Sequence, residues 1–225
     1  IYKLKKTDEV MKYYDEWGIE NKYNKDMVEW NYTGPKETVE TFKMYASNKD
    51  SIIFDAGCGT GLAGRELRTV LDNQHVDDKP ITLVGVDASP KMLEIAGRCT
   101  SKQGCGLPTS SSQDDDDSDP LLYDALVDLD LEEMTIENTL LKVPTNDLPK
   151  GSRFDLIVAA DVFVDFGSLD AVLEVVDCFH QQHVEFVIRL QSPGRVGFKV
   201  LLGRTFKLGR RGVGCCIGCE GAGLA

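Results

Sequence analysis

The chain has 225 residues, 42% hydrophobic and 28% charged, which is enough apolar material for one full core and too much for disorder throughout. Against 37 acidic residues stand 25 Lys and Arg, and the net charge of −12 argues against a protein that grips nucleic acid through its phosphates. No apolar run approaches the roughly 18–20 residues that span a bilayer, and no leader opens the sequence, so a cytoplasmic location without membrane association is expected.

Residues 1–48 are rich in aromatic and charged side chains and read as a helical cap of two helices. Val10, Tyr14 and Trp17 fall at i, i+4, i+7 on the first, and Val39, Phe42 and Ala46 do so on the second, after a break at Gly34-Pro35. The chain opens on Ile1 rather than Met, so its natural start is expected upstream. Residues 49–225 read as one domain, in which 51–99 and 121–190 alternate short apolar strands with amphipathic helices, the pattern of a parallel α/β sheet. Strands are predicted over Ser51–Ala56, Ile81–Val86, Phe154–Ala159 and Val184–Leu190, with a weaker one over Tyr123–Val127. Their near-continuous apolar runs suit strands covered on both faces. Helices are predicted around Ala63, Leu67, Val70 and Leu71, around Met92, Leu93 and Ala96, and around Leu169, Val172, Val176 and Phe179. Ser89-Pro90 supplies the middle one with a cap and a first-turn proline.

Between these halves, residues 100–120 carry Ser110 to Ser112 and Asp114 to Asp117, lack apolar anchors and repel themselves, so the stretch reads as a mobile acidic insertion. From Gln191 onward six basic residues face Glu220 alone, a local +5 that leaves −17 on the first 190 residues; this tail reads as solvated surface. Seven cysteines without a repeated spacing read as reduced thiols, and the lone Cys216-x-x-Cys219 gives no metal site.

The sharpest feature is the run Phe54-Asp55-Ala56-Gly57-Cys58-Gly59-Thr60-Gly61, at the end of the first strand and the start of a helix. Glycines there let the backbone turn sharply and meet a ligand closely, with helix N–H groups facing it. A dinucleotide fingerprint needs G-x-G-x-x-G, but position 62 is Leu and the third glycine is Gly61, which disfavours an NAD-dependent oxidoreductase. Asp55 before the turn suits a ligand ammonium and gives a pyrophosphate nothing. Asp87, ending the second strand ahead of Ala88-Ser89-Pro90-Lys91-Met92, suits a pair of ribose hydroxyls. Of the acids in Val127–Glu132, one suits an adenine amino group, and an ordinary polar loop after a strand fits equally. Asp161 closes the set behind Ala159-Ala160.

These residues resemble, in order, the successive motifs of class I S-adenosylmethionine (SAM)-dependent methyltransferases: FDAGCGTG, VGVDASPKMLEIA and FDLIVAADVFVDFGSLD. The amino-terminal YDEWGIENKYNKDMVEWNYTGP is similar, more narrowly, to the Williams–Beuren syndrome region methyltransferase-like proteins. The resemblance covers about residues 10–100 and 121–225. It implies a Rossmann-like, mostly parallel sheet with helices on both faces and a helical cap. It implies SAM as cofactor and a small-molecule or protein nucleophile as methyl acceptor. Asp55, Gly57, Cys58, Gly59 and Gly61 would surround the methionine part, with Asp55 near its ammonium. Asp87 and Ala88 would hold the ribose, Met92 would pack near the adenine, Asp130 would meet its amino group, and Ala159 would complete the cofactor-binding set. Asp161 would lie beside the reacting methyl, with Asp165 and Tyr14 as further candidate bases. Tyr14 and Trp17 would form part of a lid, although both also fit an ordinary helix core.

The chain departs from the pattern at Asp165, where an aromatic residue is expected, and at His180–His183, where a Pro-Gly-Gly-like turn is expected. Phe198–Arg211 looks like the family's loop after the fifth strand, and Gly212–Leu224 like its next helix. The last strands of the family's sheet are then missing, so an exposed edge beside the fifth strand and self-association are expected. A non-catalytic SAM-binding module with a degenerate acceptor site is the alternative reading.

Overall fold

The computed structural model describes residues 7–45, 52–72, 75–76, 79–101, 105, 120–130, 154–160, 162, 185–192 and 195–202. Its amino-terminal part holds three helices, α1 (Thr7–Gly18), α2 (Lys22–Glu29) and α3 (Gly34–Tyr45). The expected first helix is therefore broken in two. A 3-10 turn over Ile19–Asn21 intervenes, and Glu20 and Asn21 take left-handed φ of 52° and 57°, a conformation that ends a helix and that asparagine tolerates better than most residues. The expected break at Gly34-Pro35 falls earlier, because these two residues open α3, where a missing proline N–H costs nothing.

The strands are β1 (Ile52–Ala56), the two-residue pair β2 (His75–Val76) and β3 (Lys79–Pro80), then β4 (Thr82–Asp87), β5 (Ala125–Asp128), β6 (Leu156–Ala160), β7 (Glu185–Ser192) and β8 (Arg195–Leu202). The helices α4 (Leu62–Leu71) and α5 (Pro90–Ala96) connect β1 towards β4 and β4 towards β5. Six strands form one sheet in the order β5-β4-β1-β6-β7-β8, while β2 and β3 pair separately. The first five run parallel, so this is an α/β, Rossmann-like, mostly parallel sheet. Strand order reverses between β1 and β6, the switch point at which such sheets open a crevice.

The sixth strand overturns one expectation. Residues 198–202 are not the start of a loop: they belong to β8, which pairs antiparallel with β7 and covers the edge expected to be exposed. Arg195–Lys199 alternates charged or small residues with Val196 and Phe198, the two-residue period of a strand. The helix expected around Leu169–Phe179 lies outside the described residues.

The central strands β1, β4 and β6 are buried on both faces. Ile53, Leu83, Leu156 and Val158 share one face through the β1–β4 and β1–β6 registers and pack with Val39 and Phe42 of α3 and Leu67 and Leu71 of α4. Phe54, Val84 and Ile157 of the opposite face are equally sealed, and the rings of Phe54 and Phe154 meet with centroids 4.6 Å apart. Right-handed crossovers place α4 and α5 on the same face, because both connections step the same way from the switch point.

Cys105 corrects the reading of residues 100–120 as a stretch that buries nothing. It is 5% exposed and belongs to the core cluster, and Thr100 bridges Leu121 antiparallel at the foot of the segment. Of the other residues between them, only Ser101 and Pro120 are described.

Candidate functional site at the switch point

At the carboxyl end of β1 the chain turns through Gly57, Gly59 and Gly61, with φ of 67°, 54° and 90°. The positive φ at Gly57 is required by space as well: a Cβ there would stand 2.2 Å from Val162 Cγ2. The turn is fastened to β4 by the Cys58 N–H, which donates to the Val86 carbonyl at 2.9 Å, and it closes on itself through Gly61 N–H to the Cys58 carbonyl. Beside it opens a small cleft of about 40 Å³. Its walls are Gly57 to Thr60 of the turn, Leu62 and Ala63 of the first turn of α4, Ala160 at the end of β6, Tyr23 of α2, Tyr32 of the connection after it and Pro35 of α3.

Asp87, at the end of β4, faces the turn. Its Oδ2 accepts from the Gly59 N–H at 2.9 Å and its Oδ1 from the Ser89 N–H at 2.8 Å. Loss of water around this carboxyl pushes it up to about 6, against the pull of the Ser89, Gly59 and Ala88 N–H groups, with Asp128 adding to the rise. Beyond Asp87, the Leu129 N–H donates to the Asp87 carbonyl, so the chain leading to Asp130 runs beside it. Ser89 caps α5 by accepting from the Met92 N–H at 3.2 Å, as expected.

Asp55 lies within the core. It is fully buried, and its Oδ2 accepts from the Tyr123 hydroxyl at 2.7 Å. Its Oδ1 has no partner, the one such buried side-chain atom among the described residues. Burial pushes Asp55 up to about 7; the Tyr123 bond opposes the rise and the nearby Asp87 charge adds to it. The same burial pushes the Cys58 thiol and the Tyr123 hydroxyl well above their ordinary values.

Of the residues singled out from the sequence, Gly57, Cys58 and Gly59 line the cleft, while Gly61 stands at the start of α4. Asp87 adjoins them through its bond from the Gly59 N–H, and the Ala88 N–H bonds the Asp87 carboxylate. Asp55, Met92 and Ala159 are sealed in the core and do not line the cleft, which takes Ala160 instead of Ala159. Asp161 and Asp165 lie outside the described residues. Tyr14 does not reach the cleft wall; it stacks on Trp17, whose ring meets Tyr23 edge-on at 4.9 Å. The cleft's aromatic wall is thus Tyr23 and Tyr32, with Tyr14 and Trp17 in the cluster behind Tyr23. Both wall residues sit in the YDEWGIENKYNKDMVEWNYTGP segment, but helical periodicity picked out Tyr14 and Trp17 there.

Turn and cap are also joined directly. The Thr60 hydroxyl bonds Asn24 of α2, while Asp15 of α1 accepts from the Ser89 hydroxyl at 2.6 Å and the Lys91 N–H at 3.2 Å. A glycine turn with open space at one position fits the close approach of a ligand backbone, since a Cβ on Gly59 would meet nothing within 4 Å. The orphaned Asp55 Oδ1 fits a ligand that brings a cation.

No family model and no curated protein matches this chain. Among solved structures, it is similar to a Haloferax volcanii chain in complex with the Trm112 methyltransferase activator, at 16% identity and a TM-score of 0.45 over 79% of this chain and 59% of that one. The magnesium protoporphyrin IX methyltransferase of Synechocystis PCC 6803, with bound SAM, follows at 14% identity and 0.43 over 77% and 64%. The plantazolicin methyltransferase in complex with SAH gives 14% and 0.42 over 82% and 59%. The chain thus spans 59–64% of the length of these structures. Solved structural neighbours of this fold therefore include SAM-dependent methyltransferases that differ in substrate.

Proposed function

We propose that this chain binds SAM in the Gly57–Thr60 cleft and transfers its methyl group to a small-molecule or protein nucleophile. The observation that carries this reading is the 2.9 Å bond from the Gly59 N–H to Asp87 Oδ2. It brings a glycine turn and a carboxylate from the neighbouring strand end to one side of the switch point, where a nucleoside with an amino-acid tail needs both. When bound, SAM supplies a methyl carbon already activated by a positive sulfur. The chain's contribution is then positioning and exclusion of water.

Gly59 lets the turn approach the ligand, and Asp87 holds the ribose hydroxyls through the lone pairs its bonds from the Gly59, Ser89 and Ala88 N–H groups leave open. Asp55 sets a buried carboxyl two residues before the turn, behind the cleft wall rather than on it, and we assign its unpaired Oδ1 to the ammonium. Tyr23, Tyr32 and Pro35 wall the cleft against water. If the acceptor must lose a proton, Asp161, next in sequence after the cleft residue Ala160, is the base we assign first, with Asp165 behind it; Tyr14, away from the cleft wall, is set aside.

Calorimetry with SAM, SAH and NAD, followed by transfer of labelled methyl to a metabolite and peptide panel, tests the proposal. Heat from SAM and SAH with label appearing on one acceptor class supports it. Heat from NAD alone, or from none of the three, sinks it.

A further inference from the structure

Tyr123 was not among the residues the sequence singled out, yet its position is built by three separate elements. Glycines make the room: a Cβ on Gly64 of α4 would stand 2.2 Å from the Tyr123 hydroxyl oxygen, and one on Gly85 of β4 would stand 2.9 Å from the ring. The ring itself is 5% exposed. The chain on either side is pinned by Arg68 of α4, whose Nε donates to the Leu122 carbonyl at 2.6 Å and whose Nη2 bonds Asp124. Asp124 also accepts from the Leu83 N–H at 2.7 Å. A side chain fixed this firmly delivers its hydroxyl to one atom, Asp55 Oδ2.

We propose that Tyr123 is a positioning residue of the cofactor site: it pins the Asp55 carboxyl by Oδ2 and so reserves Oδ1 for the cationic amino-acid head of the ligand. The inference rests on the SAM reading above and deepens it. A buried acceptor left without a partner costs about 1–3 kcal/mol, so a fold that keeps one beside a ligand turn recovers that cost when a donor arrives. The groups that face Asp55 agree. Asp87 adds a like charge from β4, and the Cys58 thiol from the turn is held protonated by burial. Tyr123 is itself faced by Cys58 and Cys105. The Arg68 guanidinium is engaged by Leu122, Ile81 and Asp124. With Asp55 raised to about 7, the ligand-free site is partly protonated there at neutral pH and gives that proton up as the cation binds.

The test is calorimetry on the full chain across pH 5.5–8.5 in buffers of differing ionisation enthalpy. The ligands are SAM and 5′-methylthioadenosine, which lacks the amino-acid head; the proteins are wild type, Tyr123→Phe and Asp55→Asn. Wild-type affinity for SAM should rise with pH through about 7, with proton release on binding. Tyr123→Phe keeps the ring in its notch and should weaken SAM about tenfold at neutral pH, the worth of one hydrogen bond to a charged group, while moving the rise to higher pH. Asp55→Asn should abolish that rise and leave the lower one near 6 that belongs to Asp87. Neither variant should change binding of 5′-methylthioadenosine.

Equal SAM affinity and an unmoved rise in Tyr123→Phe overturn the inference, and so does equal loss of both ligands, which marks plain loosening of the fold. Should Tyr123→Phe fail to fold, a wild type without proton release, or an Asp55→Asn profile identical to wild type, overturns it alone. A wild type that binds neither ligand overturns the SAM reading itself.

Discussion

The Thr60 hydroxyl donates to Asn24 Oδ1 at 2.5 Å across 36 residues of sequence, with both side chains buried. The Asn24 amide nitrogen donates onward to the Cys105 carbonyl at 2.7 Å and to Asn21 Oδ1 at 2.8 Å. One side chain therefore joins the amino-terminal helices, the glycine turn and the segment after α5.

Asn24→Ala would leave the Thr60 hydroxyl and the Cys105 carbonyl buried without these partners, at a cost of about 2–4 kcal/mol. Asn24→Asp keeps the acceptor for Thr60 but turns a buried carboxylate oxygen toward the Cys105 and Asn21 oxygens, so it should be destabilised at least as much. Urea unfolding followed by tryptophan fluorescence checks this; Trp17 and Trp30 both sit in the aromatic cluster and report on the cap. An alanine variant with the wild-type midpoint would remove the clamp from the account.

Gly57 and Gly59 should respond differently to alanine. At both, an L side chain in left-handed backbone costs about 1–2 kcal/mol. At Gly57 the new methyl also collides with Val162, so Gly57→Ala should be destabilised by on the order of 3 kcal/mol. At Gly59 the methyl enters open space, so Gly59→Ala should fold with the smaller loss; under the proposed binding mode it should bind SAM poorly, because the ligand would approach through that space. Paired melting and binding curves decide it, and a Gly59→Ala protein with full affinity would move the ligand elsewhere.

Asp87→Ala should weaken SAM by about 1.5–3 kcal/mol, the loss of charged hydrogen bonds to ribose hydroxyls. The Gly59 and Ser89 N–H groups lose their acceptor as well. The loss should therefore extend to 5′-methylthioadenosine, which also carries a ribose. Affinity unchanged for both ligands would contradict the role given to Asp87.

The sheet was legible because parallel strands are written locally. The apolar runs IIFDA, TLVGVD and LIVAA each sit within a residue or two of the predicted spans. Ser89-Pro90 likewise announced α5 through a cap that acts over three residues. What escaped was non-local. Nothing near Tyr123 in sequence says that Gly64 and Gly85 vacate its seat, and nothing near Asn24 points to Thr60 or Cys105. At β8 a local signal existed: the alternation RVGFKV was outweighed by the resemblance that placed a loop there. Tyr14 and Trp17 satisfied helical spacing, but spacing cannot tell a cleft wall from the cluster behind it, and Tyr23 took the wall.

Stability of the ligand-free protein should fall as pH rises from about 4 to about 7. Asp55 and Asp87 bind protons up to about 7 and about 6 in the folded chain, against 3.8 as their ordinary value. Within that window the folded state holds protons that the unfolded state has released, so raising the pH favours unfolding. For Asp55 alone the difference amounts to on the order of 4 kcal/mol, complete above its folded value. Asp55→Asn should flatten most of the slope. Denaturant midpoints at pH 5, 6, 7 and 8 check this, and a wild type that grows more stable over the range would refute the buried-acid account.

The last prediction separates two excisions in the 100–120 segment. The aspartates 114–117 repel one another, and the serines beside them carry nothing that offsets ordering entropy, so residues 106–118 should be replaceable by a short glycine-serine link with little loss. Removing 102–118 takes Cys105 as well. That deletes a side chain packed in the core and the carbonyl that accepts from Asn24 and Asn21. A small buried hydrophobe and a buried hydrogen-bond acceptor together stabilise by roughly 2–4 kcal/mol, and a domain of this size answers each 1 kcal/mol with about 2–4 °C in melting temperature. The longer excision should therefore melt roughly 5–15 °C below the shorter one. It should also lower SAM affinity, because Asn24, which holds Thr60, would keep Asn21 but lose Cys105 as an amide partner. Melting curves for both excisions beside the intact chain settle the matter: equal midpoints would mean that Cys105 contributes nothing to the core, and an equally large drop in both would mean that residues 106–118 pack after all.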